Sequence, residues 1–208
     1  MNVDGPSREV SNLYLDALFG KKKTSAEASH SPSEATAGLL PNGTTDEFHA
    51  RPGYNKDEHR WGQGGAVILD YKVVCGADEY PARIESGAKT DFYFKVRFDN
   101  DFESVVPGFL VKTLEGIFLY GTNSFVASEG RAHFRVSAGE VQVYKFTLPM
   151  SLNEGNYLVS FGIASGNPLH ELIPLDRRYD SVMIYVGRHL QFWGITDLQA
   201  SFESFTAE

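Results

Sequence analysis

Most of the features that would make this 208-residue chain easy to assign are missing from it. It has one cysteine, Cys75, inside an apolar run. No internal disulfide can brace the fold, and no cysteine zinc site can form. The core alone must hold the chain together, which fits a reducing compartment. No stretch of about 18 apolar residues occurs, so no membrane-spanning helix is expected. The opening MNVDGPSREV lacks the basic-then-apolar pattern of a secretory signal. A soluble, cytoplasmic protein is the expectation. Positive charge is scarce as well: 19 Lys and Arg against 27 Asp and Glu give a formal net charge of −8. That excludes the basic face on which non-specific nucleic-acid binding depends.

The chemistry of common enzymes is equally sparse. There is no phosphate-binding G-x-x-x-x-G-K-[ST] and no G-x-S-x-G elbow, and Cys75 has no evident catalytic partner. The glycines of WGQGGA, Trp61 to Ala66, precede a strand pattern rather than a helix, against a dinucleotide loop. His30, His49 and His59 lack metal-ligand spacing, and His133, His170 and His189 stand singly. No cofactor is expected. A glycosidase remains open, because sequence cannot place two carboxylates about 5–10 Å apart.

What is present falls into three zones. In PSREVSNLYLDALFG, residues 6–20, Val10, Leu13, Tyr14, Ala17 and Leu18 recur at helical spacing. Ser7 can cap this helix, and Gly20 with Lys21 to Lys23 suits its end. So short a helix needs something to lie against. Residues 21–60 are rich in Ser, Thr, Ala, Pro, Gly and charge without a period, a linker composition. Residues 61–208 carry eight or nine short runs rich in Val, Ile, Phe and Tyr, separated by Gly, Asp, Asn and Pro. This spacing predicts an all-β, immunoglobulin-like antiparallel β-sandwich.

Alternation assigns the faces. Phe92, Phe94, Val96 and Phe98 point to the core, as do Tyr157, Val159, Phe161 and Ile163, and Val182, Ile184 and Val186. The spacing of LNEGNY predicts a tyrosine corner at Tyr157. Tyr93, Lys95, Arg97, Lys112, Ser160 and Tyr185 are left on outward faces. Aromatic rings stack on the C–H faces of sugars, planar polar groups bond their hydroxyls, and Lys or Arg adds affinity for an anionic group. These six are the candidate carbohydrate-binding residues, against the plainer reading of solvated strand faces. The run EGIFLYGTNSF is read as an apolar strand that stops in a Gly-Thr-Asn-Ser turn, with Asn123 bonding backbone.

Four segments in order carry a family resemblance: RWGQGGAVI, PGFLVKTLEGIFLYGTNS, LNEGNYLVSFGI and PLDRRYDSVMIYV. Over most of residues 58–187 the chain resembles the C-terminal carbohydrate-binding domain of Wzt, the ATPase subunit of the ABC transporter that exports bacterial O-antigen polysaccharide. The resemblance implies non-catalytic binding of the modified non-reducing end of the polysaccharide, coupling chain completion to export at the inner face of the inner membrane. It implies that residues 1–20 are the end of the ATPase domain, with the membrane subunit and that domain as partners. It also implies a homodimer that exchanges a C-terminal strand, here HLQFWGITDLQASFE. Lys95, Arg97 and Lys112 then suggest an acidic cap. The alternatives are a dimerisation module that does not touch glycan and a glycan-modifying enzyme.

Overall fold

The computed structural model describes residue 40 and residues 43–206. The helix expected over 6–20 and the first part of the expected linker lie outside the described residues. Among the described residues eleven strands form two packed sheets. The larger sheet runs β1 (His59–Trp61), β11 (Glu171–Gly187), β10 (Gly155–Asn167), β6 (Phe102–Thr113) and β7 (Phe118–Asn123). Two short strands join it: β4 (Ile84–Glu85) lies parallel to β11, and β8 (Phe134–Val136) pairs with β6. The smaller sheet runs β3 (Asp78–Glu79), β2 (Ala66–Cys75), β5 (Lys89–Phe98) and β9 (Val141–Pro149). Apart from the β4 pairing, all ladders are antiparallel, so the expected all-β antiparallel sandwich is the observed one.

The core is where alternation puts it. Phe92, Phe94, Val96 and Phe98 of β5 meet Tyr157, Val159, Phe161 and Ile163 of β10, all buried. Phe161 anchors the centre, with ring centroids 5.0 Å from Phe94 and 6.0 Å from Phe109. Tyr157 forms the expected corner: its hydroxyl donates to the Asn153 carbonyl at 2.9 Å. The larger sheet has a bulge at its middle. Opposite Val159 and Phe161 of β10 stand Val182 and Arg178 of β11, so Tyr179 to Ser181 face a single residue, Ser160. Asp180 takes the left-handed conformation there, φ 57°, and its N–H donates to Ser160 Oγ at 2.8 Å.

Two segments depart from the sequence reading. Residues 46–60, assigned by composition to the linker, pack on the sandwich. Phe48 is fully buried against Tyr71, and Tyr54 bridges Val182. The run HLQFWGI, expected as a strand, is not one. Beyond Gly187 the described residues form no strand, and their one β-pairing is an isolated bridge, Leu152 to Thr196.

The Gly-Thr-Asn segment also reads differently in three dimensions. The strand does not stop at Tyr120. Gly121, Thr122 and Asn123 stay in β7, opposite Leu110, Phe109 and Gly108. The turn follows as a single helical turn, α1 (Ser124–Ala127), capped by Asn123 Oδ1, which accepts from the Val126 N–H at 2.9 Å. Asn123 does bond backbone, as a helix cap rather than a hairpin closer.

Candidate functional site

A groove of about 670 Å³ lies on the outer face of the larger sheet. Its floor is made of small residues in register across three strands: Asn123, Gly108 and Gly162 in one row, Gly121, Leu110 and Ser160 in the next. Glycine inside a strand weakens it, by about 0.5–1 kcal/mol relative to alanine. The fold does not demand Gly108 or Gly162. A Cβ built at Gly108 would come no nearer than 3.7 Å to any heavy atom, and one at Gly162 no nearer than 3.5 Å, to Arg177 Cγ. What a side chain there would do is fill the groove.

The walls differ in chemistry. On the β7 side stand Phe118, 43% exposed, and Val126, both apolar. On the β11 side Arg177 and Tyr179 line the groove, Arg177 Nη1 donating to the Tyr179 hydroxyl at 2.9 Å. Arg177 also lies over the Trp61 ring, 5.4 Å from its centroid, and Trp61 meets Tyr179 edge to face at 5.9 Å. The tip of the β10–β11 hairpin closes one end with Pro168, His170, Glu171 and Leu172. An apolar wall, an arginine braced by two aromatic rings and a shallow open floor suit a flat ligand with one apolar face and hydroxyls at its rim.

A second cleft, of about 620 Å³, opens between the two sheets along edge strands β7 and β9. It is lined by Tyr120, Phe134, Tyr144 and Phe146, with Thr122, Gln142 and Lys145 among its polar groups. The Tyr144 hydroxyl is buried and has no hydrogen-bond partner among the described residues. Burial pushes that phenol well above its usual pKa, so it is a neutral donor.

The six sequence candidates do not form one site. Ser160 lines the groove, although its hydroxyl is bound to the Asp180 N–H. Lys112 is fully buried under the end of the groove, 3.1 Å from Asp180 and between the rings of Phe118 and Tyr179, 4.9 and 5.0 Å from their centroids. Its charge is matched inside the protein. Tyr93, Lys95 and Arg97 lie on the smaller sheet, away from the groove. Lys95 is buried 4.0 Å from Asp70, and Tyr93 is buried with its hydroxyl on Asp91. Arg97 donates to Asp99 and to the Thr44 carbonyl. Tyr185 bonds Glu154 beyond the groove lining. Alternation put these side chains on outward faces correctly. It could not show that Asp70 and Asp180, far away in sequence, would neutralise Lys95 and Lys112.

Sequence reasoning passed over Arg177, Tyr179, Phe118 and Gly108. Gly162 and Gly108 carried a usable signal: glycine at outward strand positions where no turn needs it. Trp61 sits on the groove side of β1, half-buried. Gly62 beside it is obligatory, since a Cβ there would stand 2.2 Å from the Leu175 carbonyl oxygen.

Among the described residues no group of His, Cys, Asp and Glu is arranged to hold a metal, and no helix is long and apolar enough to cross a membrane. No curated protein matches the chain. Among solved structures, the chain is 53% identical to a crystal structure of the C-terminal domain of Wzt, which it matches over 78% of its own length and 98% of the other's, with a TM-score of 0.77. The CARDB domain of a Pyrococcus furiosus protein (11% identity, 57% and 92% coverage, TM-score 0.31) and the soluble domain of PmoD from Methylocystis sp. (12%, 61% and 94%, TM-score 0.30) are much more distant. The Wzt C-terminal domain family model matches residues 57–198, and the chain belongs to that family.

Proposed function

We propose that the groove on the larger sheet binds the modified non-reducing end of O-antigen polysaccharide, without catalysis, so that chain completion is coupled to export by the ABC transporter. The observation that carries this is the open glycine floor between an apolar wall and a braced arginine. A sugar ring lays its C–H face on Phe118 and Val126. Its hydroxyls meet Thr122, His170, Glu171 and Arg177. Lys112 and Lys95 are each set against a carboxylate, and Arg177 shares the groove with Glu171. The terminal cap is therefore recognised more by shape than by charge, in place of the acidic cap that the sequence suggested.

The domain works at the inner face of the bacterial inner membrane, beside the ATPase domain and the membrane subunit. It does so as a homodimer joined by exchange of its C-terminal tail. Trp193, Leu198, Phe202 and Phe205 support the exchange: all are almost fully exposed in the protomer, an arrangement that calls for a cover.

Calorimetric titration with capped and uncapped polysaccharide tests the reading, with Gly108→Val as the blocked groove. Binding of capped chains alone, lost in Gly108→Val at unchanged melting temperature, is expected. No binding by the native protein would leave the dimerisation module as the function, and a changed sugar product would make it an enzyme. A second reading, in which the inter-sheet cleft holds the sugar, is favoured by the unpartnered Tyr144 hydroxyl. In that case Tyr144→Phe loses binding and Gly108→Val keeps it.

A further inference from the structure

Strands β1 and β11 each present two faces with different duties. Their register pairs Trp61 with Arg177 and Arg60 with Arg178. Trp61 and Arg177 stand on the groove side. Arg60 and Arg178 point the other way, where two guanidinium groups side by side would repel.

Three carboxylates hold them. Asp176 takes Arg60 in a fork, at 3.0 and 2.7 Å, and Glu58 takes Arg178 in another, at 3.0 and 2.9 Å. Asp46 bridges the pair, with one oxygen 2.9 Å from Arg60 and the other 3.1 Å from Arg178. Both arginines also donate to the Ile68 carbonyl, and Arg178 lies 3.9 Å over the Phe48 ring. Asp46, Phe48 and Glu58 all belong to the segment that leads into the sandwich.

That segment reaches the groove by a second route. Asn55 donates through its side chain to the Asp180 carbonyl at 2.7 Å, and its N–H donates to the Ser181 carbonyl. Asp180 is the bulge residue whose neighbour, Tyr179, forms the groove wall.

We infer that the seating of residues 46–58 and the shape of the groove are one linked equilibrium, with Arg60, Arg178 and Asn55 as positioning residues that act on the ligand through Trp61, Arg177 and Tyr179. The inference rests on the glycan reading for its ligand but not for its mechanics. A backbone shift in β1 or β11 that moves a side chain on one face turns the peptide planes that carry its neighbours on the other. An occupant that fixes Arg177 and Tyr179 therefore favours the seated segment. Linkage requires the converse by the same factor: a released segment weakens the site. The stretch of chain before the sandwich thus reads whether the groove is full.

The test uses the full chain with Trp193→Phe, which leaves Trp61 as the one tryptophan. Asp46→Ala touches nothing in the groove and is expected to speed amide exchange at Glu47 and Asn55, shift Trp61 emission to the red, and weaken capped-polysaccharide binding about tenfold, within the usual range of coupled sites. Asp46→Glu is expected to restore all three. Saturating polysaccharide is expected to slow exchange at the same two amides. If Asp46→Ala fails to fold, Asn55→Ala is read in the same way through its bond to Asp180. Faster exchange at Glu47 and Asn55 with native Trp61 emission and native affinity would overturn the inference. If the native chain binds no polysaccharide, the glycan reading falls, and Trp61 emission against amide exchange still decides the linkage.

Discussion

The chain enters and leaves the sandwich through two segments that behave opposite to their composition. The lead-in, residues 43–58, is polar, with Gly, Pro, Thr and charge. It is nonetheless fastened by Phe48 in the core, by the Asp46 and Glu58 ion pairs and by Arg51, which forks onto buried Asp70 at 2.8 and 2.7 Å. The tail, residues 188–206, carries Trp, Leu and Phe. It is held by backbone bonds at residues 151–153, by the Asn153 side chain on the Phe192 and Gly194 carbonyls, by Ile195 against the core and by Arg188 on Ser86 and Asp197, the last pair at 2.8 Å, while Trp193, Leu198, Phe202 and Phe205 stand in water. Polarity decides packing only through the partners available. The lead-in finds arginines waiting on β1 and β11. The tail seats Ile195 against the core but finds no cover for Trp193, Leu198, Phe202 and Phe205.

The largest expected effect tests the lead-in. Phe48 has no exposed surface and packs against Tyr54, Tyr71 and Phe161. Phe48→Ala should lower unfolding stability by about 3–5 kcal/mol, as for other buried aromatic truncations. Urea denaturation measures it. A loss under about 1 kcal/mol, the scale of an ordinary surface change, would return the segment to the status of a linker.

Next comes the tail. Removing residues 189–208 should convert a dimer to a folded monomer, read by sedimentation equilibrium as a halved mass. The reasoning is that the contacts of this segment within the protomer leave Trp193, Leu198, Phe202 and Phe205 exposed, and these are the side chains that the proposed exchange would cover. A monomeric full chain, or a truncated chain that stays dimeric, would end the exchange idea.

Acid separates the two segments further. Burial alone would raise the Asp46 carboxyl, but the Arg178 charge and the hydrogen bonds from Arg60 and Arg178 outweigh it and hold the pKa below the usual 3.8. A folded-state pKa below the unfolded one means stability that is complete above the unfolded value and lost as pH falls through the folded value. The lead-in should therefore stay seated at pH 5–7 and loosen below about pH 4, where the unfolded-state carboxylates take up protons. Amide exchange at Asn55 as a function of pH, corrected for intrinsic rates, reads this directly. Opening that begins near pH 6 would point to a histidine instead.

These contrasts also show what the sequence could disclose. Period-two alternation located every core face of β5, β10 and β11, because burial on one side leaves an unmistakable pattern in Phe92 to Phe98 or Val182 to Val186. It failed at Phe48, a single apolar residue in a polar stretch, whose burial depends on a pocket built from Tyr71, Phe161 and Arg178, far away in sequence. It failed in the same way for Lys95 and Lys112. Each looks like a free outward cation until the folded chain brings Asp70 or Asp180 beside it. The groove was half legible. Ser160 stands among the outward candidates. Arg177 and Tyr179, by contrast, owe their place to a bulge at Asp180 that no local pattern announces.

The smallest effect is expected at Trp193, and it is the sharpest probe of the tail. The side chain is fully exposed in the protomer, at 103% of its reference area. Trp193→Ser should therefore change protomer stability by less than about 0.5 kcal/mol, the scale of surface substitutions that touch nothing. The informative comparison is with its own fluorescence. If a second copy covers the tail, Trp193 moves from water to an apolar surface on dimerisation, and its emission shifts to the blue as concentration rises through the sedimentation transition. The difference spectrum between the native chain and Trp193→Ser isolates that contribution from Trp61. Emission that stays red on both sides of the transition would place Trp193 outside the interface and leave Leu198, Phe202 and Phe205 as the side chains that a partner covers.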